Sequence, residues 1–86
     1  MKMYYVYLLR SISHPEKTYV GFTDDLDRRL GEHNEGFSKY TKPYIPWKLE
    51  VFIGFRNKQK AKDFETYLKQ GSGYAFARKH FWDSHP

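Results

Sequence analysis

The chain has 86 residues and carries 15 lysines and arginines against 10 aspartates and glutamates, which gives a formal net charge of +5. It contains no cysteine, which excludes a disulfide framework and a thiolate metal site, and its apolar N-terminal run is too short to cross a bilayer. We therefore predict one domain over residues 1–86, cytoplasmic and without membrane attachment, whose basic balance suits either a polyanionic partner such as nucleic acid or simple solubility.

Two hydrophobic runs predict a hairpin near the N-terminus. Residues 3–9 are all apolar or aromatic and lack a polar alternate face, so we expect a central strand that is covered on both sides. Residues 18–22 are β-branched and aromatic, and a short connection joins the two segments. If Tyr7 pairs with Tyr19 across the hairpin, both side chains lie on one face of the sheet.

The first helix is predicted from about residue 24 to residue 34. Thr23 is a preferred N-cap residue, and Leu26 and Leu30 recur at helical spacing, so they are expected to face the core. Arg29 and His33 lie one turn apart at the edge of this apolar stripe.

Both residues at that edge have more than one interpretation. Arg29 is either a surface cation near Asp25 or a partly desolvated guanidinium suited to bidentate contact with phosphate. His33 is also placed to interact with the negative C-terminal end of its own helix.

Residues 37–47 contain two prolines that oppose regular structure, so we expect a loop rich in cations and rings. Residues 49–55 alternate in character, which predicts a third strand. One face of this strand is expected to carry its four alternate apolar residues, Leu49, Val51, Ile53 and Phe55. Asn57 is a candidate N-cap for a second helix that runs to about residue 70, and Ser72 for a short third helix through residue 81.

One carboxylate interrupts the apolar stripe of the second helix. Helical spacing places Glu65 among Ala61, Phe64 and Leu68 on the face that is expected to be buried. Because burying an unpaired charge is costly, this side chain needs a partner or a function. Lys69, one turn on, is the structural partner, and the alternative is a hard cation such as magnesium, which one or two carboxylates hold together with waters and substrate phosphate.

Tyr7 and Tyr19, taken singly, are expected to be core residues whose hydroxyl groups find backbone acceptors. Two phenols on one face of a sheet, beside an arginine and a carboxylate, indicate a functional site instead.

The ordered set of these residues resembles the GIY-YIG nuclease family, in its small single-domain bacterial branch. Tyr5-Val6-Tyr7 stands where the family has its first tripeptide, although the glycine is missing, and Tyr19-Val20-Gly21 matches the second. Arg29 and His33 follow Tyr19 by ten and fourteen positions, as in the family's helix. Glu65, within FETYLKQGSG, fits the family's metal-binding glutamate. The chain departs from the family in having no asparagine after Glu65 and a tyrosine, Tyr74, where related sequences carry arginine.

The resemblance implies an α+β fold with a three-stranded antiparallel sheet flanked by three helices, the first strand central, in the order ββαβαα. It also implies an endonuclease that hydrolyses phosphodiester bonds in DNA, in repair or recombination, with one divalent cation, Mg²⁺ or Mn²⁺. In the implied mechanism Glu65 holds the cation, Arg29 stabilises transition-state charge, and Tyr7 and Tyr19 position or deprotonate the attacking water. His33 assists proton movement or phosphate contact.

Two other functions remain open at this point. The first is a non-catalytic nucleic-acid-binding module on the same fold, and the second is a small protein-interaction domain. The candidate nucleic-acid contacts are Lys39, Tyr40, Lys42 and Lys69, through backbone phosphates and stacking. The preferred DNA structure and the oligomeric state are left open by the sequence.

Overall fold

The computed structural model describes residues 2–82 and has the predicted α+β architecture. Its strands and helices, in chain order, are β1 (Tyr4–Ser11), β2 (Thr18–Thr23), α1 (Leu26–Asn34), β3 (Trp47–Phe55), α2 (Lys58–Leu68) and α3 (Gly71–Ala77). The strands form one antiparallel sheet in the order β2-β1-β3, so the order ββαβαα and the central position of the first strand are confirmed. None of the helices between residues 2 and 82 has the length and apolarity needed to cross a membrane.

Both faces of the central strand are covered, as its unbroken apolar run predicts. Val6 and Leu8 point to one face, where they pack with buried alanine and leucine side chains of α2 and α3. Tyr7 and Leu9 point to the opposite face, where they pack with Trp47 and the leucines of α1. The sheet therefore separates two small cores, and the tyrosine side of β1 faces the helix that carries the arginine and the histidine.

The hairpin register differs from the predicted pairing of the two tyrosines. Tyr7 lies opposite Gly21, and Tyr19 lies opposite Leu9, so the direct pair on which the shared face was made conditional does not form, and the two tyrosines are offset by two residues. Because side chains along a strand alternate with a period of two, an offset of two keeps both tyrosines on one face. Their ring centroids lie 6.2 Å apart.

The third strand contains an irregularity that changes which residues share a face. Leu8 pairs with Val51 and the next residue, Leu9, pairs with Leu49, so Glu50 is an extra residue in β3. An extra residue in one strand moves the residues beyond it to the other face of the sheet. The prediction that Leu49 shares a face with Val51 is therefore wrong, and Leu49 packs on the tyrosine side, while Val51 packs with the core under α2.

The start of α1 is also later than predicted. Thr23 still belongs to β2, where it pairs with Tyr5, so it cannot be the N-cap of a helix that begins at Leu26. Asp25 caps the helix instead, since its carboxylate accepts from the Arg28 amide at 3.1 Å. The Thr23 hydroxyl accepts from the Asp25 amide, also at 3.1 Å, and so holds the turn between strand and helix.

The corner between α2 and α3 depends on two glycines. Asn57 caps α2 as predicted, because its side-chain oxygen accepts from the Lys60 amide at 2.9 Å. Ser72 does not cap α3: this helix begins at Gly71, whose φ of +58° lies in the left-handed region, and ends at Ala77 before a π-helical turn. A side chain at Gly73 would overlap the backbone carbonyl of Tyr67, so only glycine lets α3 pack this closely on the last turn of α2.

Candidate active site

The centre of the site is the phenol of Tyr7, which crosses the edge strand β2. Tyr7 is 2% exposed, and its ring lies over Gly21, where any added Cβ would overlap it. The tripeptide Tyr19-Val20-Gly21 therefore needs its glycine, because the ring of Tyr7 occupies the space that a side chain at position 21 would fill. This contact brings the phenol from the central strand to the outer edge of the sheet.

A buried chain of hydrogen bonds connects Tyr7 to the loop after α1. The Tyr7 hydroxyl lies 2.9 Å from Nε2 of His33, and Nδ1 of His33 lies 2.7 Å from the hydroxyl of Thr41. The Thr41 hydroxyl in turn donates to the carbonyl of Ser38 at 3.5 Å. Because the Thr41 hydroxyl donates its hydrogen to the Ser38 carbonyl, its oxygen is left to accept a hydrogen bond from Nδ1–H of His33. This favours the tautomer with an unprotonated Nε2, which accepts a hydrogen bond from the Tyr7 hydroxyl.

Burial keeps both members of the Tyr7–His33 pair neutral. Desolvation, followed by repulsion from Arg29, lowers the pKa of His33 to about 4. Desolvation also raises the pKa of Tyr7 to about 12, although the hydrogen bond from Arg29 opposes this shift. At neutral pH the site therefore holds a phenol and a neutral imidazole, and the guanidinium alone does not ionise the phenol.

Arg29 is held between Tyr7 and a neighbouring glutamate. Its Nε donates to the Tyr7 oxygen at 3.4 Å, and its Nη1 forms an ion pair with Glu32 at 2.8 Å. The pairing partner is Glu32 rather than Asp25, and the Arg29 side chain is 31% exposed. It is thus a partly desolvated guanidinium, and the ion pair with Glu32 raises its pKa further.

Glu65 reaches the same region from α2, on the other side of the sheet. Its carboxylate is 21% exposed, and it forms an ion pair with Lys69 at 2.8 Å, which is the structural alternative given above. Lys69 also lies against the ring of Tyr19, so the ion pair places the carboxylate near the tyrosine side of the site. The Lys69 ammonium group lies 5.7 Å from the ring centroid of Tyr19.

Tyr19 joins these groups to the loop that follows α1. Its ring centroid lies 5.1 Å from that of His33 and 5.7 Å from that of Tyr40. Of the four candidate nucleic-acid contacts, Tyr40 and Lys69 therefore contact Tyr19. Lys39 and Lys42 are exposed on the loop beside Tyr40.

Glu65 is the residue that fits a metal ion. Within residues 2–82, no three histidine or acidic side chains are grouped closely enough to hold a metal by themselves. A lone carboxylate suits Mg²⁺ or Mn²⁺, which one or two carboxylates bind while waters and substrate phosphates complete the coordination. Such an ion would take the place of the Lys69 ammonium group as the partner of Glu65.

Two residues of this arrangement are missing from the predicted set. Thr41 is 1% exposed and contacts His33, yet it lies in an irregular loop where no periodicity indicates burial. Glu32 follows Arg29 by three residues, a spacing that permits an ion pair and was a usable signal in the sequence.

Comparison with known proteins identifies the family of this arrangement. A sequence profile described as the GIY-YIG catalytic domain matches residues 3–77. The structure-specific endonuclease subunit SLX1 of Malassezia globosa is 44% identical over 69 residues, which cover 74% of this chain but 15% of that protein. A UPF0213 protein of Clostridium perfringens is 41% identical over 69 residues, which cover 79% of this chain and 72% of that protein.

A solved structure has the same fold. The solution NMR structure of a UPF0213 protein from Bacillus halodurans matches with a TM-score of 0.53 and 31% sequence identity. The match covers 90% of this chain and 81% of the Bacillus chain.

Proposed function

The chain belongs to the GIY-YIG family, and on this premise we propose that it is a divalent-metal-dependent endonuclease that hydrolyses phosphodiester bonds in DNA. The observation that carries the proposal is the convergence of two phenols, a guanidinium and an imidazole at the β2 edge of the sheet, with the Glu65 carboxylate linked to Tyr19 through Lys69. The printed name of the Malassezia relative, a structure-specific endonuclease subunit, supports the same reaction class.

In the proposed reaction the Tyr7 oxygen accepts a proton from the attacking water. The phenol proton of Tyr7 passes at the same time to Nε2 of His33, 2.9 Å away, and Nδ1–H of the resulting imidazolium remains bonded to Thr41. The transfer is concerted because the high pKa of Tyr7 disfavours a free phenolate. The negative charge that develops on the phosphoryl group would have to stabilise the imidazolium, since burial and Arg29 lower the pKa of His33 to about 4.

Arg29 and Glu65 supply the opposite charges of the proposed site. The Arg29 guanidinium, close to the Tyr7 oxygen, is placed to stabilise the negative charge that develops on the phosphoryl oxygens in the transition state. A divalent ion on Glu65 would offset charge on the leaving oxygen and favour deprotonation of the nearby phenol. Tyr19 would position the water from the side of the loop.

A non-catalytic nucleic-acid-binding module is the second candidate. The Glu65–Lys69 ion pair favours it, because a carboxylate already neutralised by lysine repels phosphate less than a free one. The role in repair or recombination, the cytoplasmic location and the single-domain organisation over residues 1–86 stay predictions from the sequence.

Cleavage assays with matched variants distinguish the two candidates. Supercoiled, single-stranded and branched DNA are incubated with Mg²⁺ or Mn²⁺, and EDTA is added to parallel samples. We expect the native chain to cleave, Glu65→Ala and Tyr7→Phe to lose cleavage, and Asp63→Ala, an exposed carboxylate on the same helix, to retain it. Binding by all four proteins without cleavage supports the module, and cleavage retained by Glu65→Ala rules out the assigned metal site.

A further inference from the structure

We propose that an open groove beside the candidate active site binds a single-stranded nucleic-acid segment by stacking its unpaired bases on Tyr40 and Tyr74. The inference rests on the proposed function and names the form of substrate that the same site receives. The groove has a volume of about 640 Å³, within the range of ~300–1,000 Å³ that is typical of sites for small molecules.

The groove is continuous with the site because they share residues. Tyr19 lines the groove, and its ring also contacts His33 in the site. Lys69 lines the groove, and its ammonium group also pairs with Glu65. A strand that occupies the groove would therefore pass the tyrosine and the carboxylate to which the cleavage reaction is assigned.

Two rings that line the groove are exposed to solvent. Tyr40 is 65% exposed and Tyr74 is 57% exposed, although both are large side chains that folding commonly buries. Tyr40 comes from the loop after α1, and its ring makes an edge contact with Tyr19. Tyr74 comes from α3, so the two rings belong to separate elements of the fold. Exposed rings of this kind are the stacking platforms of proteins that bind single strands.

The charges in the groove suit a phosphate backbone. Lys17, from the hairpin loop, and Lys69, at the end of α2, both line it, and Glu16 is the single acidic side chain among the described lining residues. Two lysines and two exposed rings in one groove are the combination of cations and aromatic faces that holds single-stranded nucleic acid.

An unpaired strand fits this surface better than a duplex does. In a duplex each base is covered by its neighbours above and below, so its face is closed to a tyrosine ring, whereas an unpaired strand or an unpaired segment at a junction presents free base faces. The aromatic rings would contribute little to duplex binding, which depends on the phosphates.

Binding measurements without metal test the groove independently of catalysis. A labelled single-stranded DNA oligonucleotide, its duplex and the single-stranded RNA of the same sequence are titrated with the native protein in EDTA, and fluorescence anisotropy gives the Kd. We expect the single strands to bind more tightly than the duplex. The ratio of the Kd values for the DNA and RNA strands shows which sugar the groove prefers.

Variants of the rings provide the decisive comparison. Tyr40→Ala and Tyr74→Ala are each expected to weaken single-strand binding by about tenfold, with little effect on the duplex. Tyr74→Phe keeps the ring and is expected to retain binding. Phe37→Ala removes an exposed ring outside the groove and serves as the matched control.

The possible results separate the inference from the proposed function. Three results would contradict the inference about the groove. They are equal affinity for single strand and duplex, ring variants that bind like the native chain, and no binding of any oligonucleotide. DNA cleavage and single-strand binding that do not depend on Tyr40 and Tyr74 would support the nuclease and contradict the groove as the binding site. Single-strand binding that depends on these two rings, without cleavage, would support the groove and contradict the nuclease.

Discussion

The ring of Tyr7 occupies the space above Gly21 that a side chain would otherwise fill. These two residues lie directly opposite each other on β1 and β2, and each belongs to one of the two family tripeptides. The relationship explains how a tyrosine on the central strand reaches His33 and Arg29 on α1 while its backbone stays in the sheet. The site therefore depends on a glycine that makes no contact with substrate in the proposed reaction.

Gly21→Ala should displace the Tyr7 ring and destabilise the protein. The added methyl group overlaps the ring, and overpacking of this kind typically costs about 1–3 kcal/mol. Chemical denaturation measures the loss. Gly31→Ala is the matched control, because no atom lies within 4 Å of the added Cβ and alanine favours the helix by about 1 kcal/mol. Equal stability of Gly21→Ala and the native chain would contradict the contact.

Thr41→Val should change the tautomer of His33. Valine has nearly the same shape as threonine but cannot accept from Nδ1–H, so the preference for a bare Nε2 is lost. The ¹⁵N chemical shifts of the imidazole report the tautomer, and we expect Nε2 to be unprotonated in the native chain and mixed in the variant. Leaving the buried donor without a partner should also cost about 1–3 kcal/mol of stability.

Thr41→Ser keeps the hydroxyl group and is expected to preserve the native tautomer of His33. If Thr41→Val also preserves it, Thr41 does not orient the imidazole, and its contact with His33 is one of packing alone.

The free energy of unfolding should fall as the pH is lowered from about 6.5 to about 4. The folded pKa of His33, about 4, lies below the unfolded value of 6.5, so in this window the unfolded chain binds a proton that the folded chain does not. The contribution is fully present above pH 6.5 and amounts to at most about 3 kcal/mol. Urea denaturation at a series of pH values measures it.

His33→Gln should reduce this pH dependence, whereas His14→Gln, which alters an exposed histidine, should leave the same slope as the native chain. A native slope in the His33 variant would assign the effect to other groups.

Lys69→Gln should strengthen the binding of Mn²⁺. In the structure the Lys69 ammonium group forms an ion pair with the Glu65 carboxylate at 2.8 Å, so a metal ion that binds Glu65 must displace it. Removing the competitor is expected to lower the Kd several-fold, and Glu65→Gln should abolish binding, as measured by electron paramagnetic resonance of free Mn²⁺. Lys62 is an exposed lysine of α2, the helix that carries Glu65, and Lys62→Gln should bind Mn²⁺ as the native chain does. Weaker binding in Lys69→Gln would mean that lysine does not compete with the ion.

Local sequence patterns predicted much of the fold. The predictions are wrong where long-range contacts determine the strand register or the start of a helix. The apolar run of β1 and the N-cap Asn57 are visible in single segments, and both predictions are confirmed. The side chain of Leu49 turns to the other face because Glu50 is an extra residue opposite β1, and nothing within β3 indicates this. Thr23 and Asp25 are both good N-cap residues, and only the length of β2 selects between them.

The candidate site shows the same division. Spacing in the sequence placed Arg29 and His33 on one helical edge, and in the structure both contact Tyr7. The buried position of Thr41 follows from an irregular loop packing over α1, which has no period to detect. The pairing of Glu65 with Lys69 was one of two interpretations of the same spacing, and the choice depends on whether a metal ion is present.

The close approach of α3 to α2 at Gly73 has a consequence for recognition. Tyr74 follows this glycine directly and belongs to a helix anchored on the end of α2, so the backbone that carries its ring is ordered before any ligand arrives. Preorganised groups lose little conformational entropy on association, which leaves more of each favourable contact as net affinity. Substitutions that loosen this corner should therefore weaken association through entropy, even though they remove no atom that touches the ligand.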